Sequence, residues 1–276
     1  MEIIIYLAIF IIGTLLGSFF SLAIYRLPLK QDITHKRSYC PKCSHKLGFW
    51  DMIPILSYIF LGGKCRYCKE KIRARYICLE VFSGLLFLLF ALSLKINIYN
   101  INILKIIYLI FGFFYISTLF IIGGIDKENN YIFKSVLLFG LIIETMYIIY
   151  LYILNNNMYK YVIYIITLIA IIIINISLLK QKQYTFQILN LCLYLAIGTN
   201  PVITVISIAV ALLISSVSQI IYNIKINQKN NNTDGDVKNP LGFYLCFSNI
   251  LILIIYHFLS WYYKLRTLTR RLLWKK

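Results

Sequence analysis

The sequence predicts an all-α polytopic membrane protein with about eight transmembrane helices and a small cytoplasmic four-cysteine module between the first two. Three observations support this. The chain of 276 residues is 60% hydrophobic and only 14% charged, which is not typical of a soluble domain. Apolar runs of about 18 residues or more recur, each long enough to cross about 30 Å of hydrocarbon. Two CxxC pairs, at Cys40 and Cys43 and at Cys65 and Cys68, follow the first run.

The apolar runs predict eight membrane spans. The basic residues that flank the first span, Arg26 and Lys30, follow it in the sequence. We therefore expect the span to be a retained anchor with its N-terminus outside. The sixth span is the shortest and contains Gln187 and Asn190. The predicted spans are residues 3–25, 76–94, 102–123, 135–154, 158–179, 185–199, 201–223 and 241–263.

The distribution of basic residues predicts which loops face the cytoplasm. The net charge is +18, and Lys and Arg crowd the cytoplasmic loops of membrane proteins. We therefore interpret this charge as a sign of orientation and expect no nucleic-acid partner. Loop 26–75 carries twelve Lys and Arg against three acids, which predicts that it is cytoplasmic. The tail 264–276 carries six Lys and Arg, although eight spans would place it outside.

The four loop cysteines predict a structural Zn²⁺ site. Cys40 and Cys43 are separated by 21 residues from Cys65 and Cys68, one residue beyond the usual range for a zinc ribbon. Each CxxC pair can form a tight turn whose thiolates converge on one metal ion. With four protein ligands, such a metal would be structural and not hydrolytic.

The stretch from Gly17 to Glu80 resembles the N-terminal half of a type IV prepilin peptidase, a leader peptidase and N-methyltransferase. The resemblance covers about the first 80 residues. One departure is Ser21, where the family commonly has Asn. The residues that carry the resemblance are Gly17-Ser18-Phe19, Tyr25-Arg26-Leu27-Pro28, Arg37 to Cys43, Trp50 to Tyr58, Leu61 to Cys68, Arg75-Tyr76 and Glu80.

The resemblance implies cleavage by two aspartates at the cytoplasmic membrane face. Two nearby carboxylates share a proton, so one can activate water while the other donates to the amide carbonyl. Asp126, which ends Gly123-Gly124-Ile125-Asp126, matches the family's first catalytic aspartate. The family's second aspartate lies at the start of the sixth helix, where this chain has no acid between Lys180 and Gln187. Asp236 in Asp234-Gly235-Asp236 is the candidate replacement, although 227–239 is equally typical of a solvated Asn-rich linker.

The same resemblance implies the remaining features. Glu80 is a candidate for the methyl-transfer activity, with S-adenosylmethionine as the methyl donor. Type IV prepilin or pseudopilin precursors would be the partners, cut after Gly beside the bilayer of the bacterial inner membrane. We expect a first helix at 1–25, the cysteine module at 26–75, an aspartic peptidase-like membrane domain at 76–263 and a basic tail at 264–276.

Two alternatives remain open at this point. A relative with a degenerate proteolytic centre would act in pilus or secretion-system assembly, or only as a methyltransferase. A zinc-ribbon membrane scaffold or transporter is the second alternative, but transport requires a polar pathway through the helices.

Overall fold

The computed structural model describes residues 2–35, 37–96, 102–155, 166, 169, 184–228 and 239–273. The regular structure in these ranges is helical, with two isolated β-bridges in the cysteine loop. A short 3₁₀ helix covers Phe49–Asp51. The α-helices are α1 (Glu2–Arg26), α2 (Leu56–Phe60), α3 (Arg75–Ser93), α4 (Ile103–Asn129), α5 (Lys134–Asn155), α6 (Tyr184–Gly198), α7 (Pro201–Gln228) and α8 (Leu241–Leu273).

Six of the described helices are long and apolar enough to cross a membrane, namely α1, α3, α4, α5, α7 and α8. The predicted all-α polytopic class is therefore confirmed. Helix α6 has 15 residues and a length of about 22 Å, so it is shorter than the hydrocarbon layer. The predicted span 158–179 lies outside the described residues, apart from two isolated positions.

The chain divides into two compact units, Met1–Leu109 and Ile110–Lys276. The first unit contains α1, the cysteine module and α3. The sequence predicts that residues 76–94 belong to the membrane domain 76–263, and in the structure α3 lies in the same compact unit as α1. The functional division of the chain stays a prediction.

Helices α1 and α3 pack closely because small residues face each other. A Cβ atom on Gly13 would lie 2.8 Å from Cα of Gly84, and one on Gly17 would lie 2.9 Å from Cα of Glu80. Gly13 and Gly17 form a GxxxG pattern, which lets helix backbones approach in lipid. This close packing fixes both ends of the cysteine module, which begins after α1 and ends at α3.

The second unit is held together by apolar contacts and by a buried polar network. Ile116, Leu119 and Ile122 of α4 are fully buried. The hydroxyl of Tyr115 donates to Oδ1 of Asn249 at 2.8 Å, and Nδ2 of Asn249 donates to Oγ of Ser207 at 3.2 Å. Such bonds join α4, α7 and α8, because polar side chains in an apolar interior need partners.

Candidate functional site

The structure brings the four predicted cysteines together. Their Sγ atoms all lie within 4.8 Å of one another, and Sγ of Cys40 is 3.8 Å from Sγ of Cys68. A tetrahedral Zn²⁺ with Zn–S bonds of about 2.3 Å requires S–S separations of about 3.8 Å. A disulfide needs about 2.05 Å, so the four thiols have the spacing of metal ligands.

The two CxxC turns have the same backbone structure. The amide of Cys40 donates to the carbonyl of His45, and the amide of Cys65 donates to the carbonyl of Glu70, at 3.0 and 2.9 Å. Each turn has one residue in the left-handed region, Ser44 (φ 57°) and Lys69 (φ 59°). This duplication was not visible in the sequence, because the residues after each second cysteine differ. It presents both cysteine pairs to one point, as a zinc ribbon requires.

The protonation of the thiols shows why a cation suits this cluster. Hydrogen bonds from the Cys43 backbone lower the pKa of the Cys40 thiol to about 7. The Glu70 backbone favours the Cys68 thiolate, but burial and hydrogen bonds with the other thiols outweigh it and raise the pKa to about 11. Four adjacent thiols cannot all ionise without a positive charge among them. The donor set and its spacing fit Zn²⁺, with Cys40, Cys43, Cys65 and Cys68 as ligands.

Asp51 connects the second CxxC turn to the 3₁₀ helix. Its Oδ1 accepts a 2.6 Å hydrogen bond from Nε of Arg66, and its Oδ2 accepts bonds from the Gly48 amide and the Tyr67 hydroxyl. Burial raises the pKa of Asp51, but the Arg66 bond and these other donors lower it overall. These bonds fix the 3₁₀ helix to the second CxxC turn.

Arg26, at the end of α1, fixes the start of the module. Its side chain is 5% exposed, and it donates to the carbonyls of Asp32 and Arg37 at 2.9 and 3.3 Å. The guanidinium also lies 5.8 Å from the ring centre of Tyr39, which precedes the first metal ligand. A buried arginine thus aligns the first CxxC turn with the membrane helix.

Glu80 of α3 holds the other side of the module. Its Oε2 accepts a 2.8 Å hydrogen bond from the amide of Ile55. Ile55 has φ 63° and ψ −55°, and the Leu56 amide donates to the Pro54 carbonyl at 2.6 Å. This is a strained γ-turn that a β-branched residue rarely adopts. The observed contact of Glu80 is therefore structural, and its role in methyl transfer stays a prediction.

Asp126 is completely buried near the end of α4. Its Oδ2 accepts hydrogen bonds from the Tyr184 hydroxyl at 3.0 Å and the Phe243 amide at 2.9 Å. Gly242 permits this approach, because a Cβ there would lie 3.0 Å from Oδ2. Among the described residues, Oδ1 has no hydrogen-bond partner. The ends of α4, α6 and α8 therefore meet at one carboxylate.

The surroundings of Asp126 are rigidly held. The carbonyl of the Gln187 side chain accepts a bond from the Ile132 amide at 2.9 Å and joins α6 to the turn after α4. On the other side, the Ser215 hydroxyl donates to Oδ1 of Asn239 at 3.0 Å, which fixes the residues just before α8. Nζ of Lys127 lies 4.6 Å from the ring centre of Phe243.

The predicted partner of Asp126 was Asp236, which lies outside the described residues. Sequence reasoning does not identify Tyr184, which begins α6 and donates a hydrogen bond to Asp126. No local pattern between Lys180 and Gln187 indicates that a hydroxyl there contacts this carboxylate. Asp126 also has a structural role, since it satisfies an N–H group in the first turn of α8.

These features define a polytopic helical membrane protein with a four-thiolate module. The family model described as the bacterial peptidase A24 N-terminal domain matches residues 11–94. A prepilin leader peptidase/N-methyltransferase from Vibrio cholerae is 45% identical over 86 residues, covering 28% of this chain and 34% of that protein. The protein of the same name from Klebsiella pneumoniae is 30% identical over 128 residues, covering 44% and 52%.

A third relative of the same name, from Bacillus subtilis, is 42% identical over 79 residues, which is 29% of this chain and 32% of that protein. No solved structure matches. The predicted resemblance is confirmed for the N-terminal part of the chain, where residues 11–94 match the family model of the bacterial peptidase A24 N-terminal domain. Each of these matches spans between a third and about half of the relative's length.

Proposed function

We propose that this protein is a membrane aspartic endopeptidase that removes the leader of type IV prepilin-like proteins after Gly. The relatives' name supplies the reaction class. The observation that carries the proposal for this chain is Asp126, whose carboxylate is fully buried with one oxygen unpartnered among the described residues. Burying a carboxylate oxygen without a partner is costly, and unsatisfied groups of this kind often mark catalytic positions.

Aspartic proteolysis requires a second carboxylate close to Asp126. The second unit contains four other acids. Glu128 is two residues later on the same helix and therefore on a different face. Glu144 packs against Gly198 and Tyr115, and Tyr115 lies about 16 Å further along α4 from Asp126. This elimination leaves Asp234 and Asp236.

Chain length supports Asp236 as the partner. Asn239 is fixed by Ser215, and Phe243 of the same segment contacts Asp126 directly. Asp236 precedes Asn239 by only three positions in the sequence, and three residues span at most roughly 11 Å. We therefore assign Asp236 as the partner; one carboxylate of the pair would activate water while the other donates to the amide carbonyl.

The test is cleavage of a co-expressed prepilin by the wild type and single variants. Asp126→Asn and Asp236→Asn are each expected to lower cleavage by roughly 10²–10⁴-fold, the usual contribution of an acid–base group. Asp234→Asn is the matched control and should retain activity. Full activity of Asp126→Asn would end the aspartic mechanism, whereas full activity of Asp236→Asn would end only the assignment of its partner.

A second candidate function is that of a degenerate relative that binds prepilin-like proteins without cutting them. Tyr184 favours it, because a hydroxyl stands at the start of α6 beside Asp126, where the resemblance implies a second aspartate. In that case wild type and Asp126→Asn would both leave the prepilin uncut and would co-purify with it equally well. The proposed peptidase would bind and cut.

Methylation with S-adenosylmethionine is the further activity that the relatives' name suggests. Glu80, the residue proposed for it, accepts the Ile55 amide. The geometry of the described residues therefore supports leader cleavage more directly than methyl transfer. We place the protein in the bacterial inner membrane, as the relatives' name and the six apolar helices among the described residues favour.

A further inference from the structure

The cysteine module exposes a group of large apolar side chains, which we call the aromatic edge. Trp50 is 73% exposed and Phe60 is 83% exposed. Single exposed apolar residues are normal, but contiguous apolar patches mark interaction surfaces. Trp50, Leu56 and Phe60 line one shallow cleft of about 300 Å³. The edge consists of Phe49, Trp50, Leu56, Ile59 and Phe60.

The segment that leads into α2 is fixed to the N-terminal part of α3. The Ile55 amide donates a hydrogen bond to the Glu80 carboxylate. Glu80 lies five residues after Arg75, the first residue of α3, and therefore about 7.5 Å along the helix axis from it. Helix α2 begins at the next residue, Leu56. Helix α3 is one of the helices that can span a membrane, and Ile55, just before α2, contacts it near its N-terminal end.

The module carries the charge that an anionic lipid surface attracts. Loop 26–75 has twelve Lys and Arg against three acids, and Lys46, Lys64 and Lys71 are exposed. Basic residues near a bilayer gain about 1 kcal/mol each from anionic headgroups. Aromatic residues, Trp above all, prefer the headgroup boundary. Both properties occur in the same small module.

Contacts within the cysteine module hold the aromatic edge rigidly. Asp51 follows Trp50 and is bound by Arg66 and Tyr67, which lie between the ligands Cys65 and Cys68. The strained backbone at Ile55 is secured by Glu80. A rigid apolar surface loses little conformational freedom when it enters an interface.

We propose that the aromatic edge inserts into the headgroup region of an anionic bilayer, on the side of the membrane where the cysteine module lies. The module would then lie against the lipid, as amphipathic interfacial segments do. The proposal uses none of the residues that contact Asp126. It does not depend on whether the protein cleaves a leader.

The test uses the full chain, with Trp261→Phe and Trp274→Phe leaving Trp50 as the single tryptophan. The protein is reconstituted into phosphatidylglycerol-containing vesicles with nitroxide labels either at shallow or at deep acyl positions. We expect the shallow label to quench Trp50 more strongly, because interfacial segments penetrate about 5–10 Å. Aqueous iodide should quench it poorly. Strong iodide quenching with no lipid quenching would overturn the proposal.

Two variants separate insertion from folding. Phe60→Glu with Ile59→Glu should reduce quenching by the shallow label and increase quenching by iodide, while Phe60→Leu should behave as the parent. Zinc content of each variant reports whether the module is folded, and the parent protein decides the question even if the double variant loses zinc. If Trp50 becomes protected only when a prepilin-like peptide is added, the surface binds protein and the lipid assignment is wrong.

Discussion

Replacing Glu80 by alanine should release the segment around Ile55 from α3. The bond from the Ile55 amide to the Glu80 carboxylate is 2.8 Å long, and a hydrogen bond to a charged group contributes about 1.5–3 kcal/mol. The γ-turn at Ile55 stores strain of about 1–3 kcal/mol, so little else favours this conformation. We therefore expect residues 53–61 to open roughly ten- to a hundredfold more often, since 1.4 kcal/mol is a factor of ten.

Hydrogen exchange measured by mass spectrometry on peptides that cover 53–61 is the assay. Exchange in these peptides should accelerate in Glu80→Ala by that factor, and less in Glu80→Gln, whose neutral side-chain oxygen still accepts a bond. Glu70→Gln, an exposed acid of the same module, is the control. Zinc should remain bound, because no metal ligand is altered. Unchanged exchange in Glu80→Ala would refute the role of this carboxylate in holding the module.

Three further predictions follow from single contacts. Tyr184→Phe should lower leader cleavage roughly ten- to a hundredfold, because the buried carboxylate loses a donor worth about 1.5–3 kcal/mol. Single-turnover cleavage of a prepilin measures this effect. Gly17→Leu should lower the free energy of unfolding by at least about 1–3 kcal/mol, because the larger side chain overpacks α1 against α3. Ala8→Leu, at an exposed position of α1, should not lower it. Thermal unfolding in detergent measures both variants. Cys40→Ser should abolish stoichiometric zinc, whereas Cys78→Ser should keep it, and metal analysis of the purified proteins decides this.

The four-cysteine cluster could be predicted from the sequence because its signal is local. Four cysteines in two short repeats specify their own geometry, and the structure brings their sulfur atoms within 4.8 Å. The α1–α3 contact was not predicted, although Gly13 and Gly17 are visible in the sequence. A GxxxG pattern shows that a helix can pack closely, but its partner, here Gly84, is set by tertiary structure.

The surroundings of Asp126 could be predicted only in part. The position of the aspartate at the end of a membrane helix follows from the hydropathy pattern, and the structure has it in α4. Its contacts with Tyr184 and Phe243 join residues 58 and 117 positions away in the chain. No periodicity or local motif reports such pairs, because they depend on how the ends of three helices meet.

The part of the chain that resembles the relatives contains residues with structural roles. Residues 11–94 contain the metal ligands, Arg26 at the end of α1, Glu80 in α3 and the close-packed glycines. Each of these fixes the module to a membrane helix or to itself. Substitution at any of them would move the whole module, whereas the carboxylate chemistry proposed for Asp126 lies outside this region. The matched region therefore contains the cysteine module and the residues that support it, and the cleavage activity has to be tested on Asp126 and Asp236 themselves.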